Sequence, residues 1–352
     1  MRIVWNSFHG RYSDSPRALY ERLRDRPGID HVWLAHHSHR DVFPDAAEQV
    51  NIDGPDARGA LESADLVVAS SHIEVVWDKQ PGTTYLQTWH GTPLKRVHRD
   101  VLWAPEGLLD RLELDIAKWD LLLSPNPVST PRLRQAFRYD GPVLESGLPR
   151  NDLLVTPRHQ EVRARLRADL DIPDSATVVL YAPTWRDTEG YDASLEVPLR
   201  LDLAEFGAAL GEDHVVLVRA HDKVTGRFHL TDAPWARDVS FHPDIAELYT
   251  VADVMVTDYS SAMFDFALTG RPLLYLASDL EQYRDSMRGF YFDLWPQAPG
   301  PVLRSTGELV GALEDLPQVQ KEYAERYAAF QERYLALEDG HAADRVVERL
   351  GL

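Results

Sequence analysis

Residues 254–265 read VMVTDYSSAMFD, and this stretch decides the fold. Its first four residues are apolar or β-branched, as in a strand buried on both faces of a parallel sheet. The polar residues that follow predict a turn at Asp258, which leads directly into a helix that begins near Ser260. A strand that passes straight into a helix is the repeating unit of doubly wound α/β domains.

The predicted helix start at Ser260 and Ser261 has two alternative uses. The first N–H groups of a helix lack partners and carry a partial positive charge, so this position can bind a phosphate. The two serine hydroxyls would add donors there. Alternatively, Asp258 or Ser260 caps the helix by accepting hydrogen bonds from its N–H groups. The segment taken alone favours capping, and only other motifs of the chain favour phosphate binding.

Working outward, short apolar strands alternate with helical segments over the whole chain, a pattern typical of doubly wound α/β folds. Strands are predicted at residues 3–5, 32–35, 66–69, 85–89, 121–124 and 143–146, and then at 178–182, 215–218, 239–241, 254–256 and 273–276. We expect two Rossmann-like domains that face each other across a cleft, at 1–165 and 166–335. A C-terminal helix end, 336–352, is expected to cross back to the first domain. No G-x-G-x-x-G follows the first strand, so a dinucleotide coenzyme is not expected.

Three helix predictions accompany the strands. Ser15 is expected to cap the first helix with Pro16 at its first position. A charged helix over 158–170 is expected to link the two halves, and a long polar helix is expected over 318–350.

The chain of 352 residues has 37 basic and 56 acidic residues and a net charge of −19. Such a charge disfavours binding to nucleic acid or anionic lipid, so an anionic substrate needs a local cluster of cations. Candidate clusters are Lys95, Arg96, His98 and Arg99, and Arg132, Arg134 and Arg138. The absence of cysteine excludes disulfides and thiolate chemistry. Without a signal peptide or a membrane-length apolar run, the sequence predicts a soluble cytoplasmic protein.

The motif HGTPLK, residues 90–95, follows the strand predicted to end at residue 89. His90 exchanges a proton near neutral pH and suits the role of general base toward a hydroxyl. Lys95 can pair with a phosphate, and Gly91 permits a close approach of the backbone to a ligand. The alternative is a histidine that only packs beside a strand end. The Gly, Thr, Pro and Lys residues that accompany His90 after the strand end favour a functional role over simple packing.

Two further strand ends carry cationic side chains. Arg186, after Thr184, could clamp phosphate oxygens or form an ordinary surface ion pair. Arg219 and His221, two residues apart, face the same side of a strand and could stabilise developing negative charge. Arg219 could equally bind loop carbonyls.

Asp265 lies one helical turn after Ser261 and has two alternative roles. It could accept a hydrogen bond from a ribose or glycerol hydroxyl, or hold the helix start to a neighbouring loop. His36, His37 and His39 form a spaced trio, but no carboxylate pattern in the sequence accompanies them. We interpret this trio as a solvated loop, and the sequence predicts no metal site.

Several of these motifs together resemble the CDP-glycerol glycerophosphotransferase family of teichoic acid synthesis. The resemblance covers roughly residues 85–300 and rests on HGTPLK (90–95), GLPRND (147–152), YAPTWRD (181–187), RAH (219–221), TDYSS (257–261), FD (264–265) and GFYFD (289–293), in that order. The first 80 residues contribute little to it.

The resemblance implies a GT-B fold and transfer of a polyol phosphate, in the first place glycerol phosphate, from a CDP-activated donor to an acceptor hydroxyl with release of CMP. It implies that His90 is the base and that His221 touches the donor diphosphate. Donor contacts are expected at Thr184, Arg186, Arg219, Asp258, Ser260, Ser261 and Asp265, and acceptor or phosphate contacts at Gly91, Thr92, Lys95 and Arg150. No cofactor or metal is expected beyond the CDP-glycerol or related CDP-polyol donor.

The expected partners are that donor and a hydroxyl-bearing polyol-phosphate or glycan acceptor, lipid-linked or soluble. Members of the resembled family attach to membranes through basic elements, whereas this chain is acidic. Either a local patch near residues 132–138 docks it to the cytoplasmic face of the membrane, or its acceptor is soluble. Rival interpretations are a GT-B glycosyltransferase with a nucleotide-sugar donor, a sugar-nucleotide epimerase on the same fold, and a binding protein without activity.

Overall fold

The computed structural model describes residues 1–184, 186, 199–220, 228, 230, 233–287 and 289–352. His221, predicted to be catalytic, lies outside the described residues. No helix in these ranges is long and apolar enough to cross a membrane.

The front half of the chain forms a parallel sheet whose central strands are buried along most of their length. Its strands are β1 (Arg2–Asn6), β2 (Asp30–Ala35), β3 (Glu48–Asn51), β4 (Leu66–Ala69), β5 (Thr84–Gln87), β6 (Leu121–Ser124) and β7 (Val143–Glu145). They lie in the order β3-β2-β1-β4-β5-β6-β7. This order is that of a doubly wound sheet, in which the chain starts in the middle and winds toward each edge in turn.

The back half repeats this arrangement. Its strands are β8 (Thr177–Ala182), β9 (His214–Val218), β10 (Ala236–Asp238), β11 (Val254–Thr257), β12 (Leu273–Leu276) and β13 (Val302–Leu303). They lie in the order β10-β9-β8-β11-β12-β13, all parallel. The opening stretch thus supplies β11, next to β8 at the centre of the sheet, where the sequence predicts a strand buried on both faces.

Helices cover both sheets. Those of the front half are α1 (Asp14–Leu23), α2 (Asp56–Glu62), α3 (Leu108–Ile116) and α4 (Thr130–Phe137). They are followed by α5 (Asp152–Val155), α6 (Arg158–Asp169), α7 (Leu203–Leu210), α8 (Ile245–Val251), α9 (Ala262–Phe266), α10 (Leu280–Gln282), α11 (Thr306–Glu314), α12 (Leu316–Leu335) and α13 (Ala342–Arg349).

The last two helices join the halves. Phe330 and Tyr334 of α12 pack into the core of the back half, where Phe330 stacks on Phe264 at 5.1 Å between ring centroids. Val346 of α13 is fully buried in the core that contains Trp5 of β1. The C-terminal helix therefore packs back on the front sheet, as predicted. The proposed boundaries after residues 165 and 335 stay a prediction.

The structure differs locally from four of the predicted elements. The chain after β5 leaves the sheet at Gln87 because Trp89 adopts a left-handed φ of 52°. The first helix begins at Asp14, so Pro16 lies inside its first turn rather than at its start. The strand predicted at 239–241 lies at 236–238. The predicted helix over 318–350 is broken between α12 and α13.

Candidate active site

A cavity of about 350 Å³ opens between the two halves. Its walls are formed by residues that follow the carboxyl ends of parallel strands, where ligands bind in open α/β sheets. From the front half they are Phe8, Arg11, Ser13, Asp14, His90, Lys95 and Arg150, and from the back half they include Thr184, Arg219, Tyr249, Ser260, Ser261 and Asp265. The structure therefore brings most of the sequence-predicted site residues to one place.

His90 is held in one orientation by its neighbours. Its Nδ1 lies 2.6 Å from the carbonyl oxygen of Ser70. Because a carbonyl only accepts, Nδ1 carries the proton, and Nε2 of the neutral ring keeps a lone pair. The imidazole lies between the rings of Trp89 and Phe8, with centroid distances of 4.1 and 5.0 Å. Burial lowers the pKa of His90 to about 4, so the ring is neutral at pH 7 and can take a proton.

The local sequence explains why His90 points into the cavity. After β5, the side-chain oxygen of Gln87 accepts a hydrogen bond from Trp89 N at 2.9 Å, and Trp89 turns the chain with its left-handed φ. Gly91 then adopts φ +147°, a conformation that residues with a side chain rarely reach. These two turns place the imidazole beyond the strand end.

Gly91 also lies close to the back half at the cavity. A Cβ built on Gly91 would lie 3.1 Å from Ser261 Oγ and 3.5 Å from Arg150 Nη2. The peptide next to His90 therefore rests against the serine pair of the back half. Sequence analysis predicted both elements at strand ends, and the fold brings them into contact.

The serine pair differs in detail from the predicted helix start. Helix α9 has only five residues, and Ser261 at its N-cap makes no capping bond. Ser260 Oγ accepts a hydrogen bond from Ala262 N at 3.3 Å. A helix this short contributes little dipole, so the hydroxyls are the main donors that the pair can offer to an anion.

Asp258 and Arg186 are buried partners of each other rather than cavity residues. Asp258 accepts hydrogen bonds from Thr184 N at 2.8 Å and from Arg186 Nη1 at 2.8 Å. Arg186 also donates from Nε and Nη2 to Asp279 at 2.7 and 2.9 Å. Arg186 is only 2% exposed and does not line the cavity. Arg186 and Asp258 thus support the Thr184 loop from behind, and their predicted donor contacts stay a prediction.

Arg150 joins the two halves through a buried ion-pair bridge. Its Nη1 donates to Asp14 of α1 at 2.5 Å, and its Nη2 donates to Asp265 of α9 at 2.6 Å. Asn151 adds a donor to Asp265 at 3.2 Å. Of the two alternatives for Asp265, the structure favours the one in which it holds its helix to a neighbouring loop. Arg150, predicted as an acceptor or phosphate contact, reaches the cavity wall with its charge already paired.

Of the remaining predicted residues, some line the cavity and others are buried behind it. Arg219 lines the cavity, while its Nη1 donates to loop carbonyls, among them Val239 O at 2.9 Å and Ser240 O at 2.7 Å. Lys95 lines the cavity, with a backbone bridge to Phe290 behind it. Thr92 is buried away from the cavity, where Asn126 donates to its hydroxyl at 3.2 Å.

Several cavity residues were missed by sequence analysis. Phe8, Arg11 and Asp14 lie in the first 80 residues, where no recognised motif occurs. Tyr249 comes from α8, and its buried hydroxyl has no hydrogen-bond partner in the part of the chain that the structure describes, as is also true of Thr184 Oγ1. An unpaired buried hydroxyl beside a cavity is suited to a polar ligand, since burial without a partner costs about 1–3 kcal/mol. No motif in the sequence marks Tyr249 as a residue of the site.

Two facing doubly wound halves with a neutral imidazole on one wall and hydroxyls and cations on the other define a transferase of the GT-B class. The chain belongs to the CDP-Glycerol:Poly(glycerophosphate) glycerophosphotransferase family, whose sequence profile matches residues 1–352. The family resemblance noted in the sequence is confirmed and extends over the first 80 residues.

Individual relatives agree with this membership. A teichoic acid glycerol-phosphate transferase of Staphylococcus aureus is 35% identical over 99% of this chain and 92% of the relative. A teichoic acid poly(glycerol phosphate) polymerase of Bacillus subtilis is 36% identical over 98% of this chain, which spans about half (48%) of that polymerase. The solved wall teichoic acid polymerase TagF superposes with a TM-score of 0.91 at 34% identity, covering 99% of this chain and 88% of the other. The GT-B fold is thus confirmed, as is the transferase prediction.

Proposed function

We propose that this protein transfers glycerol phosphate from CDP-glycerol to an acceptor hydroxyl and releases CMP, as a step in the synthesis of a teichoic-acid-like surface polymer. The observation that carries the proposal is the pairing of a neutral His90, whose Nε2 is the proton-accepting nitrogen, with the Ser260–Ser261 pair on the facing wall of one cavity. The two relatives above act, by name, on glycerol phosphate, and TagF has been solved after a soak with CDPG.

The donor's diphosphate would lie against the back wall. Ser260, Ser261 and the hydroxyl of Thr184, which has no partner among the described residues, supply donors there. Arg219 and Lys95 contribute positive charge to the cavity of a strongly acidic chain. Hydrogen bonds and cations fixed in a water-poor site stabilise charge that develops on a leaving group, and here they would stabilise the departing CMP.

The reaction needs one proton acceptor and one in-line displacement. The acceptor hydroxyl would give its proton to Nε2 of His90 as its oxygen forms a bond to the β-phosphorus of CDP-glycerol. The bond from that phosphorus to the bridging oxygen breaks, and CMP leaves with the electron pair. His90 suits this role because burial keeps its ring neutral and the hydrogen bond to the Ser70 carbonyl orients it. His221 lies outside the described residues, and its predicted contact with the donor diphosphate stays part of the proposal.

The test compares His90→Ala with His341→Ala, which alters an exposed histidine outside the cavity. We expect His90→Ala to nearly abolish transfer while the affinity for CDP changes by no more than about threefold, because the base touches the acceptor and not the nucleotide. His341→Ala should behave like the unaltered protein. Substantial turnover in His90→Ala would contradict the assignment of the base.

Product analysis separates this reaction from its rivals. Incubation with CDP-glycerol and an acceptor should release CMP, because the β-phosphorus is attacked. A glycosyltransferase would release a nucleoside diphosphate instead, and an epimerase would turn over its donor without any acceptor. A thermal-shift series with CDP-glycerol, CDP-ribitol, UDP-sugars and CMP identifies the donor, since a ligand that binds only the folded state raises its melting temperature.

The acceptor belongs to the same proposal. We propose a lipid-linked polyol phosphate or glycan at the cytoplasmic face of the membrane. Three large apolar side chains between residues 102 and 114 support a membrane contact: Leu102, Trp103 and Leu114 are 51%, 66% and 67% exposed. The patch expected at 132–138 is less suitable, because Arg132 stacks on Phe292 and Arg134 donates to Tyr139 O.

Sedimentation with vesicles tests the membrane contact. Trp103→Ser should weaken binding to vesicles of zwitterionic phospholipid, whereas Phe241→Ser, which removes a similarly exposed ring (71%) from the back half, should not. If both variants sediment like the unaltered protein, the segment 102–114 does not contact the membrane.

A further inference from the structure

The carboxyl ends of β1, β2 and β3 bring together side chains that are far apart in the sequence. These strands are neighbours in the front sheet, so the segments that follow them meet at one edge. His9 follows β1, His36 and His37 follow β2, and Asp53 follows β3. The carboxylate that the sequence pattern lacked beside the histidines is thus supplied by the fold.

The geometry of the group suits a small cation. The ligand atoms of His36, His37 and Asp53 all lie within 4.8 Å of one another. Asp53 faces two imidazoles: its Oδ2 lies 3.4 Å from His36 Nε2, and its Oδ1 lies 3.1 Å from His9 Nε2. Two or three imidazoles with one carboxylate form a donor set that divalent ions such as Zn²⁺ prefer.

A second shell is also present. His36 is held in place through Nδ1, which accepts a hydrogen bond from Ser38 N at 3.3 Å and lies 2.7 Å from Ser38 Oγ, while Nε2 faces Asp53. Metal-binding histidines are commonly oriented through the ring nitrogen that does not bind the metal.

We propose that His36, His37 and Asp53 bind one divalent transition-metal ion of the Zn²⁺ type, while His9 contacts the other oxygen of the Asp53 carboxylate. The ion would join the ends of β2 and β3 on the side of the sheet that carries the transfer cavity. The neighbouring loop after β1 carries Phe8, directly before His9, and the ring of Phe8 packs at a tilt of 57° against His90. The main chain of this loop already contacts the histidine segment, since His36 N donates to Gly10 O at 3.0 Å.

Titration of the metal-free chain with ZnCl₂ tests the site. The protein is used at full length without a histidine tag, after treatment with EDTA, and binding is followed by calorimetry and by the melting temperature. One equivalent of Zn²⁺ should bind and raise the melting temperature. His37→Ala and the isosteric Asp53→Asn should each weaken binding by about tenfold or more. His341→Ala, an exposed histidine beside Asp344, is the matched control and should bind like the unaltered chain.

Two results would overturn the proposal. One is the absence of saturable binding of one equivalent of Zn²⁺. The other is binding that His37→Ala and Asp53→Asn weaken by less than about tenfold. The altered side chains are solvent-exposed, so circular dichroism and the melting temperature without Zn²⁺ should match those of the unaltered protein. This comparison separates loss of the site from loss of the fold.

Discussion

Gly91 of the front half lies close to Ser261 of the back half, since a Cβ on Gly91 would lie 3.3 Å from Ser261 Cβ. The backbone beside His90 therefore rests directly on the segment proposed to hold the donor diphosphate. Because backbone rather than a long flexible side chain makes this contact, the spacing between base and donor is fixed by the fold. Precise positioning of reacting groups contributes several kcal/mol to catalysis.

Gly91→Ala should lower the rate of transfer by about tenfold or more. The residue adopts φ +147°, where a side chain costs about 1–3 kcal/mol, and the added methyl would press on Ser261. The strain should be relieved by displacing the His90 loop from the serine pair. Steady-state rates with CDP-glycerol measure the effect.

Gly82→Ala is the control for this change. Gly82 has no positive φ, and a Cβ there would meet nothing within 4 Å. Its rate and stability should be close to those of the unaltered protein. Equal rates for the two alanine variants would show that the Gly91 contact does not position the base.

Arg150→Met should destabilise the protein by about 3–5 kcal/mol, the usual cost of removing one partner from a buried ion pair. Asp14 and Asp265 would both remain buried without their cation. Urea unfolding measures the loss. Arg22→Met breaks an exposed pair with Asp344 and should cost no more than about 1 kcal/mol. If Arg150→Met costs as little as Arg22→Met, the bridge does not hold the halves together.

The pH dependence of transfer reports on His90. Because burial lowers its pKa from 6.5 to about 4, kcat/KM should stay high down to about pH 5 and fall only below it. The same shift means that the unfolded chain takes up a proton between pH 6.5 and 4 that the folded chain does not. Stability should therefore fall as the pH drops through this range. An acid limb centred near pH 6.5 would contradict the assignment.

Glu338, in the break between α12 and α13, should make stability fall as the pH rises, the reverse of the effect of His90. Burial raises its pKa from 4.5 to about 8, while Leu148 N donates to it at 3.1 Å. Between these values the folded chain holds a proton that the unfolded chain has lost, so stability should decline as the pH rises toward 8. Urea unfolding at pH 6 and 8.5 measures the decline.

Glu338→Gln should remove much of this decline, because the amide does not titrate. Glu332→Gln changes an exposed residue of α12 and should leave the decline intact. Identical pH profiles for Glu338→Gln and the unaltered chain would mean that Glu338 is ionised throughout.

The sequence predicts the framework well because strand and helix periodicity are local properties. Residues 66–69, 121–124 and 273–276 form strands with the predicted bounds, since each is a short apolar run between polar segments. The predicted strand at 239–241 failed because its edge position leaves little apolar pattern to read.

The site was only partly predictable for a different reason. Motifs after strand ends located His90 and the serine pair, since their position depends on local chain order. Whether an arginine is free or paired depends on what the fold packs against it. Arg186, predicted as a donor contact, binds Asp279 more than 90 residues away, and no local pattern around Arg186 indicates that partner. Asp53 joined the histidine group in the same nonlocal way.

A crystal structure of the His90→Ala variant with bound CDP-glycerol tests the central claim most directly. We predict the diphosphate between the halves, in hydrogen-bond contact with Ser260 and Ser261, and the β-phosphorus facing the space vacated by the imidazole. A nucleotide bound elsewhere, or residues 90 and 261 on separate surfaces with no nucleotide between them, would contradict the account.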